Sequence, residues 1–212
     1  MESVKKIVIA DDYDIIRYAI KALIQAVEHL NVIAETGDGN QVLKLCREHN
    51  PDLLLLDLSL QNRDGLSILK QIKKEFRDIK VLIFSSHDES KYAIRAIKAG
   101  ADGYLGKQNS TNYLLPALEC LLAGDKYISA MLAQQLATWV QGDYESLLHE
   151  ALSDRELQTL QLIASGLSVG DIAEKLNLSV KTISMYRSKT LEKLGLRHNA
   201  ELMRYAIDHQ LI

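Results

Sequence analysis

The sequence has little cysteine, no long apolar run and no excess of positive charge, and each shortage excludes a class of protein. Cys46 and Cys120 are the two cysteines. They are too few for a disulfide framework and lack metal-ligand spacing. Both lie in apolar stretches of helical spacing and read as buried, reduced thiols. No apolar run approaches the ~18 residues of a membrane span, so no membrane partner is expected. The start of the chain, Met1-Glu2-Ser3-Val4-Lys5-Lys6, lacks the apolar region of a signal peptide, so a cytoplasmic location is expected. Net charge is -3, so a nucleic-acid partner would have to be met by a local basic patch. No Gly-x-Gly-x-x-Gly follows the first apolar run, which argues against a dinucleotide-binding enzyme.

What is present fits a globular protein. Of 212 residues, 47% are hydrophobic and 25% charged, enough for a sizeable core in one large or two small domains. Short β-rich runs occur at Lys6–Ala10, Val32–Glu35, Asp52–Leu56, Lys80–Ser85 and Gly103–Leu105. Segments of helical spacing lie between them. Ile15, Ile16, Ala19, Ile20, Leu23, Ile24 and Val27 form one stripe, and Tyr113, Leu114, Ala117, Leu118, Leu121 and Leu122 another. Five strand–helix repeats predict an α/β unit with a five-stranded parallel sheet covered on both faces. Pro116 falls within the last stripe, so that helix either starts near Leu115 or is kinked. After Gly124 the pattern changes. One helix is expected from Ser129 to Val140, a polar linker from Gln141 to Glu150, and then short helices at about 153–165, 169–176, 180–194 and 199–208. The expected boundaries are 1–124 for the α/β domain, 125–150 for a linker with a helix, and 151–212 for an all-α domain of four helices.

In a parallel sheet, ligands bind outside the carboxyl ends of the strands. Asp11-Asp12, Asp57, Ser85-Ser86 and Gly106-Lys107 stand at those ends. Clustered carboxylates repel one another unless a cation sits among them. Hard oxygen donors with room for water suit Mg2+. A lysine and a hydroxyl opposite would meet an added phosphoryl group.

The stretches IVIADDYDIIRYAI, PDLLLLDLSLQNRDGLSIL and VLIFSSHDESKYAIRAIKAGADGYLGK resemble the receiver domain of two-component response regulators, over about residues 4–124. The resemblance implies a flavodoxin-like (βα)5 fold and a set of roles. Asp57 is the implied phosphoacceptor, taking its phosphoryl group from a phosphohistidine of a sensor histidine kinase. Asp12, Asp57 and the backbone carbonyl of Ser59 are implied Mg2+ ligands, with Asp11 holding a metal-bound water. Lys107 would pair with phosphoryl oxygens, Ser85 would hydrogen-bond one, and Tyr104 would change rotamer with it. The chain departs from the family in three places. Leu60-Gln61-Asn62-Arg63 replaces a Met-Pro-Gly type segment and loses its proline stiffness. Ser59 and His87 occupy positions that tune dephosphorylation. Gly106 is smaller than the usual residue and is expected to loosen Lys107.

The second half supplies the local basic patch. Between Ser179 and Arg204, Lys181, Arg187, Lys189, Lys193, Arg197 and Arg204 stand against Glu192 and Glu201, a local balance of about +4. A short amphipathic helix at 169–176, a turn at Asn177-Leu178 and the N-cap Ser179 make a helix-turn-helix pattern. The stretch LSDRELQTLQLIASGLSVGDIAEKLNLSVKTISMYRSKTLEKLGLRHNAELMRYAI closely resembles the LuxR-type DNA-binding domain. Joined to a receiver, it resembles the NarL/FixJ class of response regulators. By family position, Ser184, Met185 and Ser188 face the groove floor. Lys181, Thr182, Tyr186, Arg187 and Lys189 would touch phosphates or flanking bases. Ala173, Leu176 and Ile183 read as packing between helices, and Gly166, Gly170 and Gly195 as turn or close-packing positions.

The expectation is a DNA-binding transcriptional regulator, not an enzyme, switched by phosphorylation of Asp57. Its implied partners are the kinase, double-stranded promoter DNA, RNA polymerase and, in the active form, a second copy of the chain. Ser59 stands where an aspartate-nucleophile phosphatase would place its second acid, which disfavours that enzyme. A constitutive DNA binder with a vestigial receiver is disfavoured by the full acidic set.

Overall fold

The structure is a computed structural model and describes residues 4–87, 89–130, 132–134, 137, 148–209 and 211–212. Contacts divide the chain into two compact units, Met1–Asp143 and Tyr144–Ile212. In the first, strands and helices alternate as β1 (Lys5–Ala10), α1 (Asp14–Gln25), β2 (Leu30–Thr36), α2 (Val42–His49), β3 (Leu53–Leu56), α3 (Gly65–Glu75), β4 (Lys80–Ser85), α4 (Glu89–Lys98), β5 (Gly103–Gly106) and α5 (Ser110–Leu122). A 3-10 turn at Lys107–Asn109 joins β5 to α5.

All neighbouring strands are parallel, in the order β2-β1-β3-β4-β5. The winding reverses between β1 and β3, which opens a crevice at their carboxyl ends. Register fixes what lines it. Ala10 pairs with Leu56, so Asp11 and Asp57 emerge side by side. Ser85 pairs with Gly106, which sets Lys107 one strand further along the same rim.

Successive strand residues point to opposite faces. Ile7, Ile9, Leu53, Leu55, Leu82, Phe84 and Leu105 join Ile20 and Ile24 of α1 and Leu114, Ala117, Leu118 and Leu121 of α5 in one core. Val8, Leu54, Leu56, Ile83 and Tyr104 fall on the other face and are equally buried. The four-leucine β3 is buried throughout, as a central parallel strand requires.

Several expectations need correction. The stripe on α1 is narrower than its sequence pattern. Ile20 and Ile24 are buried, but Ile15 is 71% exposed, and the neighbouring Tyr18 is 70% exposed. A straight helix lying on a sheet buries one line of residues, and these two fall off it. The α5 helix does not start near Leu115; it runs Ser110–Leu122 with Pro116 inside it. Cys46 is buried, and desolvation pushes its thiol up to about 12. Cys120, by contrast, is half-buried, with Sγ 3.6 Å from the Lys126 carbonyl. Within the helix expected from Ser129 to Val140, Ala130, residues 132–134 and Ala137 are helical. The remainder of that helix and most of the expected linker lie outside the described residues. Beyond α5 the chain returns to the sheet, where Tyr104 N–H donates to the Tyr127 carbonyl and Tyr127 N–H to that of Asp102. This backbone pairing covers the free edge of β5.

The second unit opens with a 3-10 turn at Leu148–Ala151, followed by α6 (Asp154–Ala164), α7 (Val169–Lys175), α8 (Val180–Leu194) and α9 (Asn199–Asp208). Serines start three of the four helices. Ser153 and Ser168 form reciprocal capping boxes with Glu156 and Asp171, and Ser179 accepts from Thr182 N–H. Each such cap satisfies an orphan donor and is worth about 1 kcal/mol. Asn177 (φ 52°) turns the chain between α7 and α8, and Gly195 (φ 67°) ends α8 in the left-handed conformation. Gly170 is neither a turn nor a close-packing position. It lies inside α7, where an added Cβ would meet only Ser168 Oγ at 3.6 Å.

Leu157, Leu160, Ile163, Ile172, Ala173, Ile183, Leu191, Leu194, Leu202 and Ala206 fill the core. Glu156 is buried beside them. Its carboxylate accepts from Ser153 N–H at 2.7 Å and pairs with Lys193 at 2.6 Å. Burial alone would raise its pKa, but these partners hold it below the ordinary 4.5. A carboxylate depressed in the folded state stabilises the fold above its unfolded pKa, and that stabilisation is lost as pH falls through the folded value. Lys193→Met is therefore expected to destabilise this unit by about 2 kcal/mol at pH 7. In thermal melts from pH 7 down to pH 3, the gap between variant and parent should narrow on acidification. A gap of constant size would show that the ammonium contributes through packing alone.

Candidate functional site

The site stands at the carboxyl ends of β1, β3, β4 and β5. Asp57 is 2% exposed and Asp11 1%. The backbone of Asp57 is fixed by its N–H, which donates to the Ala10 carbonyl at 2.8 Å. Gly65 packs directly on this segment. A Cβ there would stand 2.5 Å from Leu58 Cα and 2.6 Å from the Asp57 carbonyl oxygen, so only glycine fits without displacing the backbone. Asp11 is held on two sides. Tyr13 N–H donates to its Oδ1 at 3.0 Å, and Arg17 Nη1 to its carbonyl at 2.6 Å. Sequence reasoning assigned nothing to Tyr13 or Arg17. The Tyr13 contact was legible, because an aspartate commonly accepts from the N–H two residues on.

Lys107 Nζ sits 2.7 Å from Asp11 Oδ2 and 2.8 Å from Asp57 Oδ2. It also lies 5.4 Å from the Tyr13 ring centroid and 5.8 Å from that of Phe84. Burial would lower its pKa, but Asp57 and Asp11 more than reverse that and hold it above the ordinary range. Gly106 leaves open space beside it, where a Cβ would meet only the Gln108 side chain, at 3.7 Å. The substituted loop is also held, without proline. Leu60 is buried, the Gln61 carbonyl accepts from Gly39 N–H at 3.0 Å, and Asn62 Nδ2 donates to Asp38 at 3.1 Å.

Asp11, Asp12 and Asp57 offer carboxylate oxygens that all lie within 4.8 Å of one another. Asp12 Oδ1 and Asp57 Oδ1 are buried and accept no hydrogen bond, and Asp11 Oδ2 has its ion pair with Lys107 but no well-angled hydrogen bond. Hard oxygen donors facing each other with two orphaned lone-pair atoms fit a divalent cation of the Mg2+ type. The Ser59 side chain is turned to His87 Nε2 at 3.3 Å.

A second chain of contacts joins the remaining site residues. The Ser85 hydroxyl accepts from His87 N–H at 3.2 Å, and Tyr104 OH donates to the His87 carbonyl at 2.9 Å. The Tyr104 side chain is buried.

Burial raises the pKa of Asp11 and Asp12 above the ordinary 3.8, with the neighbouring carboxylate of Asp57 adding to it. A group raised in this way favours the fold most in acid, and that contribution is lost as pH rises. The charged cluster therefore strains the first unit at neutral pH. Asp12→Asn is expected to raise that unit's thermal midpoint in chelator by about 2–4 °C, the shift of a change near 1 kcal/mol in a domain of this size. Mg2+ should raise the parent's midpoint by mass action and leave the variant's nearly unchanged. A variant melting at or below the parent in chelator would show that the cluster is not strained by its charge.

In the second unit, the residues assigned to DNA contact separate into two groups. Lys181, Ser184, Met185, Ser188 and Lys189 are exposed on α8. Thr182, Tyr186 and Arg187 are half-buried. The Thr182 hydroxyl bonds that of Ser179 at 2.8 Å, and Arg187 Nε donates to Asn199 Oδ1. Ala173 and Ile183 are buried between helices as expected, with Leu176 half-buried.

A family model described as "Response regulator receiver domain" matches residues 7–119, and one described as "Bacterial regulatory proteins, luxR family" matches residues 150–206. The response regulator UvrY of Escherichia coli is 31% identical over 206 residues, covering 97% of this chain and 94% of UvrY. The oxygen regulatory protein NreC of Staphylococcus epidermidis is 34% identical over 215 residues, covering 98% of this chain and 99% of NreC. Among solved structures, RcsB from Salmonella enterica serovar Typhimurium, bound to a promoter in the presence of phosphomimetic BeF3-, matches with a TM-score of 0.61. Its identity is 27%, over 96% of this chain and 98% of that one. A structure of two RcsB dimers bound to two parallel DNAs matches with a TM-score of 0.59 at 26% identity, over 96% of this chain and 98% of that one. An acidic rim on a five-stranded parallel sheet, followed by a capped helix-turn-helix, is thus matched along nearly the whole chain, and the protein belongs to the response regulators that join a receiver domain to a LuxR-type DNA-binding domain.

Proposed function

We propose that this chain is a transcriptional regulator whose DNA binding is switched when Asp57 takes a phosphoryl group from a phosphohistidine of a sensor histidine kinase. The observation that carries this reading is the Lys107 ammonium, held between Asp11 and Asp57 while Asp57 Oδ1 accepts nothing. In the transfer, a carboxylate oxygen of Asp57 forms the new O–P bond. The P–N bond breaks, and the imidazole leaves with its electron pair. Such displacement needs positioning and charge neutralisation more than acid–base work from the protein. The Asp12 and Asp57 carboxylates and the Ser59 carbonyl would hold Mg2+, with Asp11 acting through a water. When bound, that ion supplies positive charge opposite the phosphoryl oxygens. Lys107 supplies the second positive charge, and its short bonds to Asp11 and Asp57 place it before the phosphoryl group arrives.

Ser85 is the residue that gains a partner. Its hydroxyl accepts from His87 N–H, and a hydroxyl that accepts can at the same time donate its O–H, as hydrogen bonding a phosphoryl oxygen requires. Tyr104 bonds the carbonyl of the same His87, so a shift at Ser85 reaches Tyr104 through one residue. Moving a two-state equilibrium from 1:99 to 99:1 takes ~5.5 kcal/mol of differential stabilisation, within reach of several charge-assisted bonds.

The output is α8, placed in the major groove by its N-terminal half, with Lys181, Thr182, Ser184, Met185, Tyr186, Arg187, Ser188 and Lys189 as its contact set. The receiver is assigned to 1–124, the linker to 125–150 and the DNA-binding domain to 151–212. Dimerisation on promoter DNA is part of this reading, supported by the RcsB dimers on DNA. The exposed line Ala200, Met203 and Ile207 on α9 is a surface suited to that contact. RNA polymerase is the further partner, and the cytoplasm the compartment.

The test is intact mass after incubation with Mg2+ and a small acyl-phosphate donor or a phosphorylated kinase, followed by DNA binding of both forms. The expected result is a gain of one phosphoryl group, absent in Asp57→Ala and blocked by chelator, with tighter promoter binding by the modified form. No gain from either donor, or equal DNA binding by both forms, overturns the switch.

A further inference from the structure

The α8 helix carries two separable sets of residues. Ile183, Thr190, Leu191 and Leu194 are buried and hold it to the domain. At 3.6 residues per turn, Lys181, Ser184, Met185 and Ser188 follow one stripe along its first half, and all four are exposed. Met185, 44% exposed, lies opposite the buried line. The stripe is notable for the chemistry it omits. Reading of guanine takes an arginine or a lysine, of adenine an asparagine or glutamine, and acceptance from cytosine an acid. Of these only Lys181 stands on the stripe, at its start. Arg187 is the guanidinium nearest to it, and its Nε is engaged by Asn199 on α9.

The stripe therefore offers a thioether chain, two hydroxyls and one ammonium. Serine hydroxyls bond to more than one base and discriminate little. A lysine ammonium is a point charge that phosphates satisfy as well as base edges do. The thioether chain is different, because the major groove presents it with one apolar partner, the C5-methyl group of thymine. Resting on the reading of α8 as the DNA-contacting helix, we propose that Met185 selects the operator by packing on thymine methyl groups. The protein then distinguishes T·A pairs by a methyl contact, not G·C pairs by a bidentate hydrogen bond.

The experiment uses the full-length protein, with and without acyl phosphate and Mg2+, and a pool of random duplexes from which bound sequences are enriched. Each thymine of the enriched site is then replaced by deoxyuridine, which removes the methyl group and keeps every hydrogen-bonding atom. At one or more positions the affinity is expected to fall about four-fold, the equivalent of burying one methyl-sized group. That penalty should vanish in Met185→Ala and in Met185→Gln, which keeps the length and replaces the apolar end. Lys189→Ala should instead weaken thymine and deoxyuridine duplexes alike and flatten the salt dependence. The proposal is overturned by deoxyuridine changes that stay within two-fold at every position, by a penalty that survives in both Met185 variants, or by binding without sequence enrichment. Failure to bind any duplex overturns the DNA-binding reading itself.

Discussion

One ammonium among three carboxylates is the constraint from which the first unit's behaviour follows. Lys107 can offset one of the charges on Asp11, Asp12 and Asp57, which leaves the rim net negative. Two carboxylate charges at 4.8 Å, the upper limit of the separations here, repel by about 3.5 kcal/mol at an effective dielectric near 20. The sheet withstands this because the acids stand on backbone it holds independently. The Ala10 carbonyl takes Asp57 N–H, the Thr36 carbonyl takes Asp11 N–H, and Gly65 fills the space behind Asp57. The arrangement is strained toward added positive charge and held against relaxing to avoid it, which is how a site stays ready for a ligand.

The same rim explains why a signal can leave it. Lys107 directly follows β5, and Tyr104 lies three residues earlier, on that strand. Ser85 ends β4, and His87 connects both, its N–H to Ser85 and its carbonyl to Tyr104. His87 also reaches Ser59 through Nε2 and stacks on Tyr92 of α4, with ring centroids 4.5 Å apart. A change in what Ser85 bonds is thus a change in a residue that touches β3's loop, β5 and α4 together.

Much of this was legible in the sequence because the signals were periodic or positional. The four-leucine β3, the acids after β1 and β3, and Lys107 after β5 all follow from strand ends in a parallel sheet. The capping Ser179 marked the start of α8, and helical spacing placed the starts of α6 and α7 to within a residue. The failures have physical reasons. The α1 stripe looked like one buried face, yet its members Ile15 and Leu23 are exposed, because periodicity gives the face but not its width. Pro116 left open whether its helix starts near Leu115 or runs through the proline; α5 runs through it, held by Leu114, Ala117, Leu118 and Leu121 in the core. The burial of these four outweighs one lost hydrogen bond. The loop at 60–63 looked loose by composition. Gly39 and Asp38, distant in sequence, hold it, and a local pattern carries no trace of them.

The second unit shows why reading and folding can be assigned to different residues of α8. Its start is fixed by Ser179, its end by Gly195, and its seat by Ile183, Thr190, Leu191 and Leu194. Thr190 Oγ1 bonds the Tyr186 carbonyl, and the Glu156–Lys193 pair ties the far end of α8 to the cap of α6. The exposed positions of the first two turns take no part in any of this. A helix whose outward residues carry no structural duty can exchange them with little loss of stability, since surface substitutions away from caps and buried pairs stay within about 0.5 kcal/mol. Base preference can therefore change by substitution at 184, 185 and 188 while Arg187 stays braced on Asn199. That separation lets one fold serve different operators, and under the proposed reading of α8 it makes the side chains standing there, above all Met185, the place where operator choice is set.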